Sequence, residues 1–341
     1  AANLGLRPDL IALRCSETSV ILPHDKNYIS SDCGIRANDV YSVPDCVPVY
    51  DLPMKLAEQD AVRRISQLLG LEDSCADSEV EGRLEMYCSM QRESLDGQLV
   101  RIGILGRTVS YDTFVSLKEA VKHAAVEEKC SIDIVWLDHY ADSLQDMLNM
   151  LKRLDGLIVG ECLRYWEEAM AALRFSRTNS FPTLSVSFGF DLAAVELAKN
   201  VCKNEVALEE LSSCESEEKV EVVDLVTGGH YVTVPKGSQL AQLYNSDRVF
   251  ERYRHKSRLS RSLANLLSKV DELVLGHNDE GHVECLELIT HPFYIAMKAH
   301  PEFKSWPGKP SPPFLGLIRE AKKQKLSDKL YEIPQTGESL C

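Results

Sequence analysis

Segments with strand and helix character alternate along residues 99–201, and this alternation restricts the fold more than any other feature of the sequence. Each short apolar run is followed by a segment with apolar residues at helical spacing. Alternating strands and helices with short connections predict an α/β fold with a doubly wound, mostly parallel sheet. The predicted strands are Val100–Leu105, Ser131–Leu137, Asp155–Val159 and Pro182–Ser187, and the predicted helices are Phe114–Glu127, Asp142–Leu154, Trp166–Arg177 and Phe190–Val201.

The flanking parts of the chain are less regular. Residues 1–71 form a block too short for an independent α/β domain, so we expect the end of a larger one. Residues 72–98 are predicted to be a linker with a helix, residues 99–326 the main domain, and residues 327–341 a polar tail. Further strands are predicted at Pro8–Arg14, Val40–Val43, Val47–Tyr50, Val220–Val234, Glu272–Leu275, Val283–Leu288 and Phe293–Met297, and further helices at Leu56–Leu71 and Glu81–Glu93.

The charge balance narrows the classes of partner. There are 38 Lys and Arg against 52 Asp and Glu, a formal net charge of -14. Binding to nucleic acid and docking on anionic lipid both need basic side chains, so we expect neither. No apolar run reaches the length of a membrane span, so we expect no membrane insertion. The acidic stretch Asn204–Asp224 is interpreted as a solvated loop. The basic run Arg248–Lys256, with Arg258 and Arg261 beyond it, is interpreted as a salt-bridge surface within the molecule or between subunits.

The cysteines indicate a reducing compartment. The chain has 11 cysteines, an odd number, and they are scattered without a CxxC pair, which favours free and mostly buried thiols. His277, His282 and Cys285 have metal-like spacing but no matching cysteine pair, so we expect no metal there. A cytoplasmic location is the default expectation. The chain begins with Ala rather than Met, which suggests either processing, for example after organelle import, or part of a longer chain.

The clearest chemical feature follows the fourth predicted strand of the main domain. Ser187 lies in the run Ser185-Val186-Ser187-Phe188-Gly189, between that strand and the next helix. A small nucleophile at a sharp strand-to-helix turn is the pattern of a nucleophile elbow, usually written G-x-Nuc-x-G. A nucleophile needs a base and an orienting acid. His300 and Glu302 are two residues apart on a predicted extended segment and share a face, so Ser187, His300 and Glu302 form a candidate triad.

Several motifs resemble those of CTP synthases, which couple a class I glutamine amidotransferase domain to an ATP-dependent amidoligase. The C-terminal signature is similar in His291-Pro292-Phe293, in His300-Pro301-Glu302-Phe303 and in the run KPSPPFLGL from Lys309 to Leu317. Similar segments occur in family order at Gly5–Ile11, Val49–Pro53, Val100–His123, Pro182–Val201, Gly228-Gly229 and Glu251–Lys256. The resemblance implies an amidotransferase-type main domain preceded by a remnant of the amidoligase domain at residues 1–71.

For the family, the resemblance implies ATP, Mg²⁺, UTP and glutamine as cofactors and substrates, and assembly into oligomers. This sequence has neither the Gly-rich phosphate loop nor the lysine-rich UTP-binding segment. Arg14 and Asp45 match nucleotide-site positions of the family. The position of a family lysine is occupied here by Tyr28, or by Lys26 if the alignment is shifted, and the position of a family aspartate is occupied by Val47. We therefore expect no cofactor, and no ATP-dependent amination by this chain alone.

Five features of the family's glutaminase site differ here. Ser187 stands at the position of the nucleophilic cysteine, and Ser185 at the first elbow glycine. Asp191 replaces a glutamine that holds substrate, and Val232 replaces an arginine for the substrate carboxylate. The oxyanion loop reads Val159-Gly160-Glu161-Cys162-Leu163 instead of Pro-Gly-Gly-Phe-Gly. A lost oxyanion donor alone typically costs ~10²–10³ in rate. Of the glutaminase machinery, only His300 and Glu302 match.

These departures predict a non-enzymatic protein, a pseudo-glutaminase that serves as a structural or regulatory subunit of a larger complex or of a CTP-synthase-type oligomer. One alternative is that the chain is part of a longer CTP synthase that uses ammonia or glutamine. Another is a serine hydrolase that uses Ser187. Cys162 is expected to be a buried structural thiol, although its place in the loop also allows a reactive one.

Overall fold

The computed structural model describes residues 5, 7–16, 21–46, 49–71, 78–106, 115–140, 142–162, 165–202 and 221–331. The chain separates into two compact units, Ala1–Glu93 and Ser94–Cys341. Residues 204–220 of the predicted acidic loop and residues 332–341 of the predicted tail lie outside the described part. The last four residues of that predicted loop, 221–224, lie in a strand. Among the helices that are described, none combines the length and the apolar composition needed to cross a membrane.

The first unit is a parallel strand pair with helices. Strand β1 pairs with β2 in the register Ile11↔Val40. The other edge of β2 is bound by Gln59, whose side-chain amide accepts from the Ser42 N–H and donates to the Ser42 carbonyl, both at 2.9 Å. The elements are β1 (Ile11–Cys15), α1 (Pro23–Cys33), β2 (Val40–Pro44), α2 (Leu52–Ala57), α3 (Ala61–Leu69) and α4 (Ser78–Leu95), with 3₁₀ turns at Ala37–Asp39 and Val49–Asp51.

Two predictions for this unit are wrong. The predicted strand Val47–Tyr50 ends in the 3₁₀ turn Val49–Asp51, and its first two residues lie outside the described part. Pro48, which precedes this turn, has no amide hydrogen to donate in a strand ladder. The predicted helix Leu56–Leu71 is two helices, because Asp60 between them adopts a left-handed conformation with φ 61°.

The second unit is built on a nine-stranded sheet in the order β4-β3-β5-β6-β11-β10-β9-β7-β8. The first five strands in that order are parallel, and β10, β9, β7 and β8 extend the sheet in antiparallel pairs. This confirms the predicted α/β fold. The strands are β3 (Gln98–Leu105), β4 (Cys130–Trp136), β5 (Gly156–Val159), β6 (Thr183–Val186), β7 (Glu221–Thr233), β8 (Arg248–Arg258), β9 (Leu273–Asn278), β10 (Val283–Leu288) and β11 (Tyr294–Met297). The helices are α5 (Val115–Glu127), α6 (Leu144–Leu151), α7 (Trp166–Thr178), α8 (Phe188–Asn200), α9 (Gln239–Tyr244), α10 (Arg261–Leu267) and α11 (Pro312–Tyr331).

The parallel and the antiparallel parts of the sheet differ in how deeply their residues are buried. Every residue of β5, β6 and β11 is buried, as expected for strands covered by helices on both faces. Two apolar clusters form this core, one that includes residues of α6, α7, α8 and α10, and one that includes residues of α5, α9 and α11. Strand β8 instead alternates exposed and buried residues, so one of its faces is open to solvent.

A buried ion pair joins α7 to α8 inside this unit. The Arg177 guanidinium donates to both carboxylate oxygens of Glu196, with distances from 2.8 to 3.1 Å, and Asn200 donates to the same carboxylate at 3.0 Å. The Glu196 side chain is 0% exposed. A carboxylate this deep is stable in its charged form only with such partners, so the pair fixes how the two helices pack.

We expect Arg177→Ala to lower the free energy of unfolding by about 3–5 kcal/mol, because Glu196 would keep a buried charge without its main partner. Chemical denaturation followed by circular dichroism measures this loss. Arg174→Ala is the matched control, since Arg174 is exposed on the same helix, and its effect should stay within about 0.5 kcal/mol. Equal effects of the two substitutions would contradict the assignment.

Candidate active site

Ser187 occupies a strained turn between β6 and α8. Its backbone has φ 55° and ψ -121°, an unfavourable region for a residue with a side chain. The turn is held by the Ser187 N–H, which donates to the Met297 carbonyl at 2.9 Å, and by the Phe190 N–H, which donates to the Ser187 carbonyl at 3.0 Å. Ser187 is 8% exposed at the N-terminus of α8. The backbone therefore has the geometry of a nucleophile elbow.

The two positions that flank the elbow behave differently. A Cβ at Gly189 would lie 2.1 Å from the Val159 carbonyl oxygen, so glycine is required where α8 approaches β5. Ser185 stands at the other glycine position of the motif and is fully buried between Val159 and Ala296 of the neighbouring strands. Its hydroxyl has no hydrogen-bond partner among the residues that the structure describes. The sheet thus accommodates a side chain at Ser185 but not at Gly189.

His300 and Glu302 form a bonded pair beside the elbow. The distance between His300 Nδ1 and Glu302 Oε1 is 2.8 Å, and the imidazole stacks on Phe303. Burial lowers the pKa of His300, but the hydrogen bond and charge of Glu302 outweigh it, so the net shift is upward. No hydrogen bond joins the Ser187 hydroxyl to His300 among the residues that the structure describes. The predicted triad members follow the neighbouring strands β6 and β11, but the nucleophile–base contact is not made.

Asp191, in the first turn of α8, is bound to a lysine that the sequence analysis did not identify. Its Oδ2 accepts from the Lys298 ammonium and, at 3.2 Å, from the Ser257 hydroxyl, and Lys298 donates to that hydroxyl at 2.7 Å. The side chains of Lys298 and Asp191 are 2% and 4% exposed. Burial raises the pKa of Asp191, and its contacts with Lys298 and Ser257 oppose the rise. Asp191 therefore points into the protein, committed to an internal ion pair.

The other family positions are also occupied by structural contacts. Val232 is 3% exposed and packs in the second apolar cluster. The Gly160 N–H donates to the Leu105 carbonyl at 2.8 Å. Cys162 is buried, and burial raises the pKa of its thiol. Such a thiol is a weak nucleophile, which favours its interpretation as a structural residue.

Buried polar groups continue from Lys298 into the antiparallel part of the sheet. The Glu284 carbonyl accepts from the Lys298 N–H at 2.8 Å, and its carboxylate accepts from Asn278 at 3.0 Å. Burial raises the pKa of Glu284 to about 7, against the charges of Lys298 and Arg258. Burial also lowers the pKa of His255 to about 4. One signal in the sequence could have located this cluster, namely a lysine directly after the apolar run Tyr294–Met297.

The possible nucleotide positions lie in the first unit. Arg14 and Asp45, near the carboxyl ends of β1 and β2, are bound to each other at 3.0 Å and are largely exposed. The pair carries no net charge, and an ion pair this exposed is weak, so the nucleotide role of these two residues stays a prediction. Within the described ranges, no group of three or more His, Cys, Asp or Glu side chains is placed to hold a metal ion.

Comparisons with known proteins agree with this architecture. Residues 109–320 match the family of class-I glutamine amidotransferases. CTP synthases from Archaeoglobus fulgidus and Natronomonas pharaonis are 31% and 30% identical over 96% and 93% of this chain. The chain spans 63% and 59% of the length of these relatives. The solved glutaminase domain of Trypanosoma brucei CTPS with bound acivicin is 25% identical with a TM-score of 0.57, covering 66% of this chain and 94% of that domain.

We expect Glu284→Gln to remove a pH-dependent loss of stability between about pH 4.5 and pH 7. The folded-state pKa lies above that of the unfolded chain, so the contribution of Glu284 is fully present below pH 4.5 and is lost as the pH rises through 7. The amide introduced by the substitution would still accept from Asn278. The free energy of unfolding of the variant, relative to that of the unmodified protein, should increase as the pH rises, by up to about 3 kcal/mol. Denaturation at a series of pH values measures this difference. A difference that does not vary with pH would contradict this.

Proposed function

Because the chain belongs to the class-I glutamine amidotransferases and has CTP synthases as homologues, we propose that it is a CTP-synthase-like protein without glutamine hydrolysis. In this proposal it serves as a structural or regulatory subunit of a larger assembly. The observation that carries the proposal is the buried ion pair between Asp191 and Lys298. The resemblance implies that the residue at the position of Asp191 contacts the substrate. In this protein, the Asp191 side chain is instead bound to Lys298 in the interior.

The ion pair opposes substrate binding on energetic grounds. A ligand that used Asp191 would have to displace Lys298, which would leave the buried ammonium with the Ser257 hydroxyl as its hydrogen-bond partner among the described residues. Breaking a buried ion pair by removing one partner typically costs about 3–5 kcal/mol. Few contacts with a small substrate could offset such a loss, so glutamine has no favourable contact at this position.

The nucleophile is weak for the same reaction. A serine hydroxyl, unlike a thiol, is hardly ionised near neutral pH and depends on a bonded base. Among the described residues, Ser187 lacks that bond to His300. The contact between His300 Nδ1 and Glu302 is the orienting bond of a triad, so the missing contact is the one between the serine hydroxyl and the imidazole. The apolar Val232 adds no charge for a substrate carboxylate. Three separate requirements of glutamine hydrolysis are therefore unmet.

The scaffold supports the second half of the proposal. The sheet, the elbow turn and the glycine that the elbow requires are all retained, although the reactive groups differ. The first unit, outside the amidotransferase match, also has CTP synthases as relatives. A fold kept without its chemistry is available for binding, and a protein partner is the simplest ligand for it.

Two alternatives have specific support. The strained φ of Ser187 is the geometry that serine hydrolases use, which favours a hydrolase. The similarity to CTP synthases over 96% of the chain favours a part of such an enzyme, fed with ammonia. The missing Ser187–His300 bond weighs against the first. The exposed pair of Arg14 and Asp45 carries no net charge and does not decide the second.

We expect the purified protein to release glutamate from glutamine at least ~10³-fold more slowly than the Archaeoglobus fulgidus relative assayed in parallel, since several contributions of the size of an oxyanion donor are lost. Ser187→Cys should not restore the reaction, because it leaves Asp191 and Val232 unchanged. Glutamate is measured with a coupled dehydrogenase assay.

The same preparations test the hydrolase alternative with a fluorophosphonate probe, which we expect not to label Ser187. Glutamate release comparable to that of the relative, abolished by Ser187→Ala, would overturn the loss of glutaminase activity. Labelling that disappears in Ser187→Ala would favour the hydrolase instead. Both outcomes require that the variant keeps the circular dichroism spectrum of the unmodified protein.

We also expect native purification without tags, followed by mass spectrometry, to find this chain in a fixed ratio with at least one different polypeptide. A subunit of an assembly must co-purify stoichiometrically, whereas a contaminant varies between preparations. Recovery only as a homo-oligomer that forms CTP from UTP, ATP and ammonia would replace the proposal with the ligase alternative.

A further inference from the structure

The outward face of β8 carries three positive side chains that have no acidic partner among the described residues. Arg252, Arg254 and Lys256 are exposed and alternate with buried residues, so they point to the same side of the strand. We call these three residues the cationic stripe. Neighbouring members are about 7 Å apart along the strand. Their mutual repulsion is unfavourable, and an anion laid along the strand would relieve it.

The basic residues nearer the two ends of β8 differ from the cationic stripe, because they do have acidic partners. Near its two ends, Arg248 pairs with Asp279 at 3.2 Å and Arg258 pairs with Glu280 at 3.5 Å. No ion pair reaches the cationic stripe from anywhere in the described ranges. The chain has 52 acidic residues, but no acidic side chain within the described ranges forms an ion pair with the cationic stripe.

Strand β7 leaves the cationic stripe uncovered. Gly229 lies opposite Arg252 in the antiparallel register, and Thr227 lies opposite Arg254. Neither residue has a charge, and both are small, so the two guanidinium groups have no cross-strand counterion. A Cβ at Gly229 would lie 2.1 Å from the Phe250 ring, so this ring covers Gly229, and the open part of the row of positive charge lies beside Thr227.

The neighbouring aromatic side chains do not form a stacking platform for nucleic-acid bases. Tyr231 and Phe250 pack against each other with ring centroids 4.9 Å apart. Arg248 lies over the Tyr231 ring at 4.4 Å, and Lys304 lies over the Phe250 ring at 5.5 Å. Single-stranded nucleic acid is bound chiefly by open aromatic faces together with positive charge. Tyr231 and Phe250 are 45% and 42% exposed, but a cationic group already lies over each ring. This arrangement favours carboxylates over bases.

The backbone edge of β8 is also partly occupied. The His300 N–H donates to the Arg252 carbonyl at 2.8 Å, and the Lys304 ammonium donates to the Phe250 carbonyl. A ligand at this part of the strand would thus be held by side-chain charges rather than by strand addition.

We propose that the cationic stripe docks a carboxylate-rich segment of a partner polypeptide. The inference deepens the proposed role as a subunit and rests on it. A net charge of -14 repels any extended polyanion, but a short acidic segment meets only the local positive field. Planar guanidinium groups suit carboxylates because they bind them with two parallel hydrogen bonds.

The test measures binding of the full chain to the short peptide hexa-L-glutamate, labelled with fluorescein, by fluorescence anisotropy at low and high salt. We expect salt-sensitive binding that becomes about tenfold weaker when Arg252, Arg254 and Lys256 are all replaced by serine, since exposed charges each contribute modestly. The matched control replaces Lys152, Arg153 and Lys269 by serine. These residues are also exposed, and the change in net charge is the same. The control should bind like the unmodified protein.

Three results would overturn the inference. The first is no binding of hexa-L-glutamate at low salt, and the second is an equal loss of affinity in the two triple variants. The third is tighter binding of a single-stranded hexauridylate than of hexa-L-glutamate through the same three residues. Circular dichroism shows whether each variant is folded. Glutamate release is independent of this assay, so failure of the docking surface and failure of the proposed loss of activity are distinguishable.

Discussion

The ion pair between Asp191 and Lys298 is the interaction on which the arrangement of the site depends. It joins the first turn of α8 to the segment after β11, and Ser257 adds the end of β8 through a shared hydroxyl. Removing two charges from water costs several kcal/mol per ion, and only close mutual contact offsets it. The three elements therefore hold one relative arrangement beneath the elbow. The same ion pair that fixes these three elements also makes the Asp191 carboxylate unavailable for binding a substrate.

The elbow shows why a fold of this kind survives a change of chemistry. Gly189 cannot change, because any side chain would collide with the Val159 carbonyl. The positive φ of Ser187 is likewise imposed by the connection between β6 and α8. These are requirements of the backbone, and they hold whether or not a reaction takes place. The side chains of Ser187 and Asp191 are not required by the turn itself, so they can differ without loss of the fold.

The sequence predicted the parts of the structure that have a local period. Alternating strands and helices in residues 99–201 predicted the parallel half of the sheet, and the order of Ser187, His300 and Glu302 predicted that their segments converge. The sequence did not predict that β8 is a strand, because its alternation of charged and apolar residues was interpreted as a basic patch. The break at Asp60 was missed because no glycine or proline marks it. The partnership of Asp191 with Lys298 joins residues 107 positions apart, and no local pattern reports such a contact.

Strand β8 separates two kinds of charge on its two faces. On the inner face, burial lowers the pKa of His255 to about 4 and raises that of Glu251 to about 6, so burial moves both groups towards their neutral forms. A buried group can avoid an unfavourable charge in this way because a proton can be lost or gained. The outer face cannot do so, since guanidinium groups stay protonated at every pH at which proteins fold. The positive charge of Arg252 and Arg254 is therefore permanent, and only a counterion or a partner can compensate it.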